Sequence, residues 1–162
     1  MTQLAIYPGS FDPITLGHLS VLKRAARVFE SVELLIVHNP SKNPTFSLAQ
    51  RVELAQTSLI EVGAPSNIKV STLESGLLVE HAQSLGAKAI IKGFRTASDI
   101  EYELPMSQVN RDLSGIETVF LAAEAGFGFV SSSLVREVAS LGGDVAKYVT
   151  EAVAQALSEV SK

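Results

Sequence analysis

Leu4-Ala5-Ile6, then Tyr7-Pro8-Gly9-Ser10-Phe11-Asp12-Pro13-Ile14-Thr15-Leu16-Gly17-His18, then the run Leu19 to Phe29, is the stretch on which the fold turns. Leu4 to Ile6 is an apolar run of strand type, and Leu19 to Phe29 carries the periodicity of an amphipathic helix. Between them lies a turn shaped by Pro8, Gly9 and Pro13. The reading is therefore strand, glycine-containing turn, helix, with His18 in the first helical turn. A helix N-terminus offers unpaired N–H groups and a partial positive charge, which suit a phosphate. A histidine there adds a donor to the same anion.

The pattern repeats outward. Strands are expected at Gln3–Tyr7, Val32–Val37, Ile68–Thr72, Lys88–Lys92 and Thr118–Ala122. Helices are expected at Leu16–Phe29, Leu48–Val62, Leu77–Leu85, Ser98–Leu113, Ser133–Leu141 and Val149–Val160. Leu34-Leu35-Ile36-Val37 and Ala89-Ile90-Ile91 are apolar at every position, as in strands covered on both faces. Alternating strands and helices predict an α/β fold. The expected form is a Rossmann-like, doubly wound parallel five-stranded sheet with helices on both faces and further helices at the C-terminus. With no repeat or linker in sight, residues 1–162 are expected to form one domain. Ligands of such sheets bind at the C-terminal strand ends, and the unusual residues of this chain fall there.

Composition narrows the chemistry. The chain has 162 residues, 46% of them apolar and 19% charged, which is a globular composition. A net charge of −4 gives no basic face for nucleic acid, so no nucleic-acid partner is expected. The absence of cysteine removes disulfides, thiolate metal sites and a cysteine nucleophile. Met1-Thr2-Gln3 leads directly into a strand, so no signal peptide is expected, and no apolar run reaches membrane-spanning length.

Four further segments follow strands. Asn39-Pro40-Ser41-Lys42-Asn43-Pro44 places Lys42 where a point charge can neutralise a phosphate. Lys92-Gly93-Phe94-Arg95 sets two cations around a glycine that permits close approach. Asp99, Glu103, Met106 and Asn110 share one face of the next helix, either as a solvated acidic stripe or as a polar wall against a ribose, a cation or the loop arginine. Pro105 within that helix predicts a kink or a tight early turn. Last, Phe127-Gly128-Phe129-Val130-Ser131-Ser132-Ser133 opens a helix that contains Arg136; the serines are good N-caps, and small hydroxyls at a helix start also suit an anion.

The first motif resembles the T-x-G-H or H-x-G-H signature of the nucleotidyltransferase superfamily, here Thr15-Leu16-Gly17-His18. Ser132-Ser133 with Arg136 resembles that superfamily's S-S-T/S-x-x-R element. With N-P-S-K, K-G-F-R-T-x-x-D-x-E-Y-E, F-V-S-S-S-L-V-R-E-V-A and the closing Gly142-Gly143-Asp144-Val145, nearly the whole chain resembles the bacterial phosphopantetheine adenylyltransferases. The resemblance implies transfer of AMP from ATP to 4′-phosphopantetheine, giving dephospho-coenzyme A and pyrophosphate, with Mg²⁺. It also implies a cytoplasmic homohexamer and feedback binding of coenzyme A. No protein residue is assigned as a metal ligand. Ser10 matches a position that meets both substrates. Phe11, His18, Gly93, Phe94, Arg95, Glu103 and Phe127 to Ser133 (Phe127, Gly128, Phe129, Val130, Ser131, Ser132 and Ser133) match ATP positions. Lys42 and Lys92 match positions on the acceptor phosphate or the reacting phosphates, and Leu78 matches the pantetheine channel. Within this set His18, Lys42 and Arg95 are the expected catalytic groups, with His18 a transition-state stabiliser. Lys92 stands where arginine is frequent in the family. A nicotinamide or nicotinate mononucleotide adenylyltransferase would share the first motif and the serine loop, but not K-G-F-R…E-Y-E in this form. A non-catalytic nucleotide sensor would not need every phosphate-facing residue.

Overall fold

The computed structural model of the chain describes residues 3–39, 41 and 43–160. Five strands and six α-helices alternate among them: β1 (Leu4–Gly9), α1 (Leu16–Val28), β2 (Ser31–Val37), α2 (Leu48–Glu61), β3 (Ile68–Leu73), α3 (Leu78–Ser84), β4 (Ala89–Phe94), α4 (Ala97–Ser114), β5 (Glu117–Ala122), α5 (Ser132–Ser140) and α6 (Glu151–Val160). The sheet is parallel throughout, in the order β3-β2-β1-β4-β5. This is the expected doubly wound arrangement. The chain winds outward from β1 through β2 and β3, then crosses back to β4 and β5, so the switch point lies between β1 and β4.

Packing follows the apolar runs. Ala5, Tyr7, Leu34, Ile36 and Ile91 face a core shared with Leu19 and Leu22 of α1, Ala55 of α2, Val135 of α5 and Leu157 of α6. Ile6, Leu35 and Ile90 turn to the other face, onto Val79 and Ala82 of α3 and Ile116. Side chains of a strand alternate between faces, so an unbroken apolar run fills both cores.

Two local expectations change. β4 runs to Phe94 rather than ending at Lys92, because β5 pairs with it through Phe94↔Ala122, so Gly93 and Phe94 are strand residues. α4 is continuous from Ala97 to Ser114, with Pro105 inside it, rather than ending in an early turn. The carbonyl freed by the missing Pro105 N–H belongs to Glu101, an exposed residue where water can satisfy it.

Candidate active site

β1 pairs with β2 through Gly9↔Ile36, and β4 pairs with β5 through Phe94↔Ala122. Between β1 and β4 the pairing covers only Ala5↔Ala89 and Ile6↔Ile90. Past those residues the two central strands part, and a cavity of about 640 Å³ opens over their C-terminal ends.

The first loop forms one wall. Gly9 is required there, because a Cβ would lie 2.9 Å from the Phe11 ring. Phe11 has φ 44°, a left-handed backbone that is costly for a side chain of its size. Its ring is buried edge-on between Tyr7 (centroids 5.3 Å) and His18 (5.1 Å). Packing thus holds a strained turn in place.

The loop is braced from three directions. Arg51 of α2, 2% exposed, donates from Nη1 to the Ser10 carbonyl at 2.8 Å and to the Val37 carbonyl at 3.4 Å. Ser132 Oγ donates to the Pro13 carbonyl at 2.7 Å, and Arg136 donates to the Asp12 carbonyl. The buried Asp12 carboxylate accepts the N–H groups of Thr45 (2.8 Å) and Phe46 (2.9 Å), with Arg136 Nη1 3.7 Å away.

Thr15 caps α1 and sets the state of His18. Its Oγ1 accepts the His18 N–H at 3.3 Å, and its own N–H donates to His18 Nδ1 at 3.1 Å. With Nδ1 accepting, a neutral imidazole carries its proton on Nε2. Desolvation, and then the Arg95 charge, lower the His18 pKa from 6.5 to about 4. At neutral pH His18 is therefore a neutral Nε2–H donor beside a helix N-terminus.

The opposite wall carries the cations. Lys92 Nζ lies 3.1 Å from Glu103 Oε2. Arg95 Nε lies 3.2 Å from Asp99 Oδ2, and Arg95 N also donates to that oxygen at 2.7 Å. Partial desolvation raises the Asp99 carboxyl, but Arg95 and the Thr96 N–H outweigh it, leaving the pKa below its ordinary value. Two members of the acidic stripe thus hold cations, Asn110 is buried, and Met106 is exposed. Gly93 is small for a reason other than ligand approach alone: a Cβ there would lie 3.2 Å from Val21 Cγ2 and 3.3 Å from the Tyr7 hydroxyl.

Of the residues expected from sequence, Ser10, Phe11, His18, Lys92, Gly93, Phe94, Arg95, Glu103, Phe127, Val130, Ser131, Ser132 and Ser133 all line this cavity. Ser131 caps α5 by accepting the Leu134 N–H. Gly128 and Phe129 lie outside the lining, with Phe129 58% exposed and edge-on to Tyr148. Leu78 also lies outside it, packed against the second core. Lys42 lies outside the described residues. Sequence reasoning passed over Tyr7, Arg51 and the bracing role of Asp12. Arg51 carried a signal: it falls between Leu48 and Ala55 on the apolar stripe of α2, where an unpartnered guanidinium would be costly.

A cytidylyltransferase-like family model matches residues 6–138. A phosphopantetheine adenylyltransferase from Clavibacter michiganensis subsp. michiganensis is 48% identical over 158 residues, 98% of this chain and 97% of that protein. The chain belongs to the phosphopantetheine adenylyltransferase family. Its members from Leifsonia xyli subsp. xyli (50% identity, 98% of this chain and 99% of the relative) and Thermotoga neapolitana (47%, 99% and 98%) agree. Like them, this family member is a nucleotidyltransferase. Solved structures confirm the fold. Plasmodium falciparum nicotinic acid mononucleotide adenylyltransferase complexed with NaAD has a TM-score of 0.76 at 16% identity, covering 98% of this chain and 96% of that one. A bifunctional NMN adenylyltransferase/ADP ribose pyrophosphatase from Francisella tularensis, complexed with AMP and a Mn ion, has a TM-score of 0.68 at 15% identity, covering 98% and 49%. At such identities these structures speak for the fold alone, so the mononucleotide alternative gains nothing from them.

Proposed function

We propose that this chain moves AMP from ATP to 4′-phosphopantetheine by direct in-line attack. The observation that carries this reading is the convergence on one cavity of His18, Lys92, Arg95 and the Ser131–Ser133 helix start, above the strands that part at the switch point. An oxygen of the acceptor phosphate attacks the α-phosphorus. The bond from that phosphorus to the bridging oxygen breaks, and pyrophosphate leaves with the electron pair. The attacking group is already an anion, so no protein base is needed. Holding two polyanions in line and offsetting their repulsion are the main tasks.

In this reading the neutral Nε2–H of His18 donates to a phosphate oxygen as charge builds in the transition state. Arg95 and Lys92 exchange their carboxylate partners for phosphate oxygens, and Glu103, once freed, accepts from the nucleotide. Ser10 stands between the two substrates, Phe11, Gly93 and Phe94 shape the floor, and the segment 127–133 covers the nucleotide. Lys42 keeps its sequence-based role on the acceptor phosphate, and Leu78 its role beside the pantetheine arm.

Mg²⁺ is proposed to arrive on ATP. Among the described residues no three His, Asp or Glu side chains group as a metal cage. Of the carboxylates around the cavity, Asp12 is held by Thr45, Phe46 and Arg136, Asp99 by the Arg95 and Thr96 backbone N–H groups, and Glu103, once Lys92 turns to phosphate, is taken by the nucleotide. Phosphate oxygens and water suit Mg²⁺ without such a cage. Tyr102, Met106 and Leu113 of α4 are 84%, 57% and 62% exposed, an apolar surface that supports the proposed homohexamer. No helix among the described residues is long and apolar enough to cross a membrane. A cytoplasmic site of action and feedback binding of coenzyme A complete the proposal on the family resemblance.

Pyrophosphate release from MgATP, with 4′-phosphopantetheine compared against nicotinamide and nicotinate mononucleotides, tests it. Release with phosphopantetheine alone is expected. Release with a mononucleotide alone overturns the acceptor, and ATP binding with no release by any acceptor favours a sensor.

A further inference from the structure

Tyr7 stands at the point where the central strands separate. It is 5% exposed, yet it lines the cavity. Its ring packs edge-on against Phe11, and its hydroxyl lies beside Gly93, at 3.3 Å from where a Cβ would be. Among the described residues no donor or acceptor pairs with that hydroxyl, and it is not sealed among the fully buried unpartnered atoms. Buried tyrosine hydroxyls ordinarily find a partner, and this one has only the cavity to supply it. A phenylalanine would fill the same apolar space, so packing alone does not account for the oxygen.

The side of the sheet is informative. Tyr7 and Ile91 share the core under α1, and Val21, one turn beyond His18, touches the same Gly93 position. The Tyr7 hydroxyl therefore opens on the α1 side, the side of the helix N-terminus and His18. Burial drives the phenol pKa above its ordinary value, so the group stays a neutral donor across the working pH range.

We propose that Tyr7 is a further binding residue of the reaction, its hydroxyl donating to a polyphosphate oxygen of the donor nucleotide on the floor of the crevice. This rests on the reading under Proposed function for the identity of the nucleotide. A neutral donor adds a directed bond without adding to the charge that the two polyanions must share with Lys92 and Arg95.

Tyr7→Phe is the test, with a non-hydrolysable ATP analogue and 4′-phosphopantetheine titrated separately by calorimetry. A hydrogen bond to a charged group corresponds to a loss of roughly ten- to hundred-fold in affinity. The expected result is that loss for the analogue, acceptor affinity within twofold of wild type, and an unchanged melting temperature. Unchanged analogue affinity overturns the proposal, as does an equal loss for both ligands with a lowered melting temperature, which would mark a packing role. Because the readout is binding, it stands even if the wild-type protein fails to release pyrophosphate with phosphopantetheine, a failure that would count against the function and not against Tyr7.

Discussion

The two walls of the cavity are built differently. The Gly9–His18 wall is buried from Phe11 to Thr15 and braced: Arg51, Ser132 and Arg136 reach its carbonyls, and Asp12 grips the loop before α2. The α4 wall is open. Its pairs, Lys92–Glu103 and Arg95–Asp99, have side chains 25–37% exposed, and Asn110 is the one buried residue of the helix among those described. Buried hydrogen bonds to a charged group are strong and directional, while exposed ion pairs exchange at little cost. One wall is thus held rigidly, and the other holds its cations on partners that a competing anion can replace.

The largest expected effect breaks the braced wall at its chemical end. His18→Ala should lower turnover by roughly 10²–10³ or more, the cost of one lost oxyanion donor, with the fold intact. Near-normal turnover with an unchanged melting curve would remove His18 from its role. Next comes the brace itself. Arg51→Met leaves the Ser10 and Val37 carbonyls without their donor and should cost about 2–3 kcal/mol in urea unfolding. A loss below ~0.5 kcal/mol would put Arg51 on a par with the exposed pairs and erase the contrast.

A pH series sharpens the comparison. The folded pKa of His18, about 4, lies below its ordinary 6.5. Between these values the unfolded chain binds a proton that the folded chain refuses. The contribution is therefore full above pH 6.5 and is lost as pH falls toward 4. The wild type should lose more stability between pH 7 and pH 5 than His18→Gln does; parallel slopes in the two proteins would contradict the desolvated, neutral imidazole. Smallest of all, Glu103→Gln should change stability by less than about 1 kcal/mol, while raising the KM for ATP. A larger drop in the melting temperature would mean that the α4 wall is structural too.

The sites differ in how far they could be read in advance. His18, Ser10 and the serine run stand at strand–helix junctions, where local rules alone point to an anion. Tyr7 and Arg51 gave weaker signals, because a tyrosine in a strand and an arginine in a helix are ordinary until the neighbouring strand and loop are in place. Pro105 left a kink and an early turn both open for a related reason: its penalty depends on whether the Glu101 carbonyl can reach water. Leu78 and Phe129 lie outside the lining of the cavity, so their proposed roles rest on the motif match and not on this geometry.

By itself the sequence determined the order of strands and helices, the parallel doubly wound class, the glycine-containing turn that leads to His18, and the family. These depend on local periodicity and on motifs read within one segment. Only the tertiary structure decided where β1 and β4 part, which carboxylate holds which cation, which His18 nitrogen carries the proton, and that Arg51 and Tyr7 belong to the site. The parting of β1 and β4 and the places of Arg51 and Tyr7 come from contacts between segments tens of residues apart; the His18–Thr15 and Arg95–Asp99 contacts are local in sequence, but which atoms meet, and how far they are desolvated, is fixed only in the folded chain.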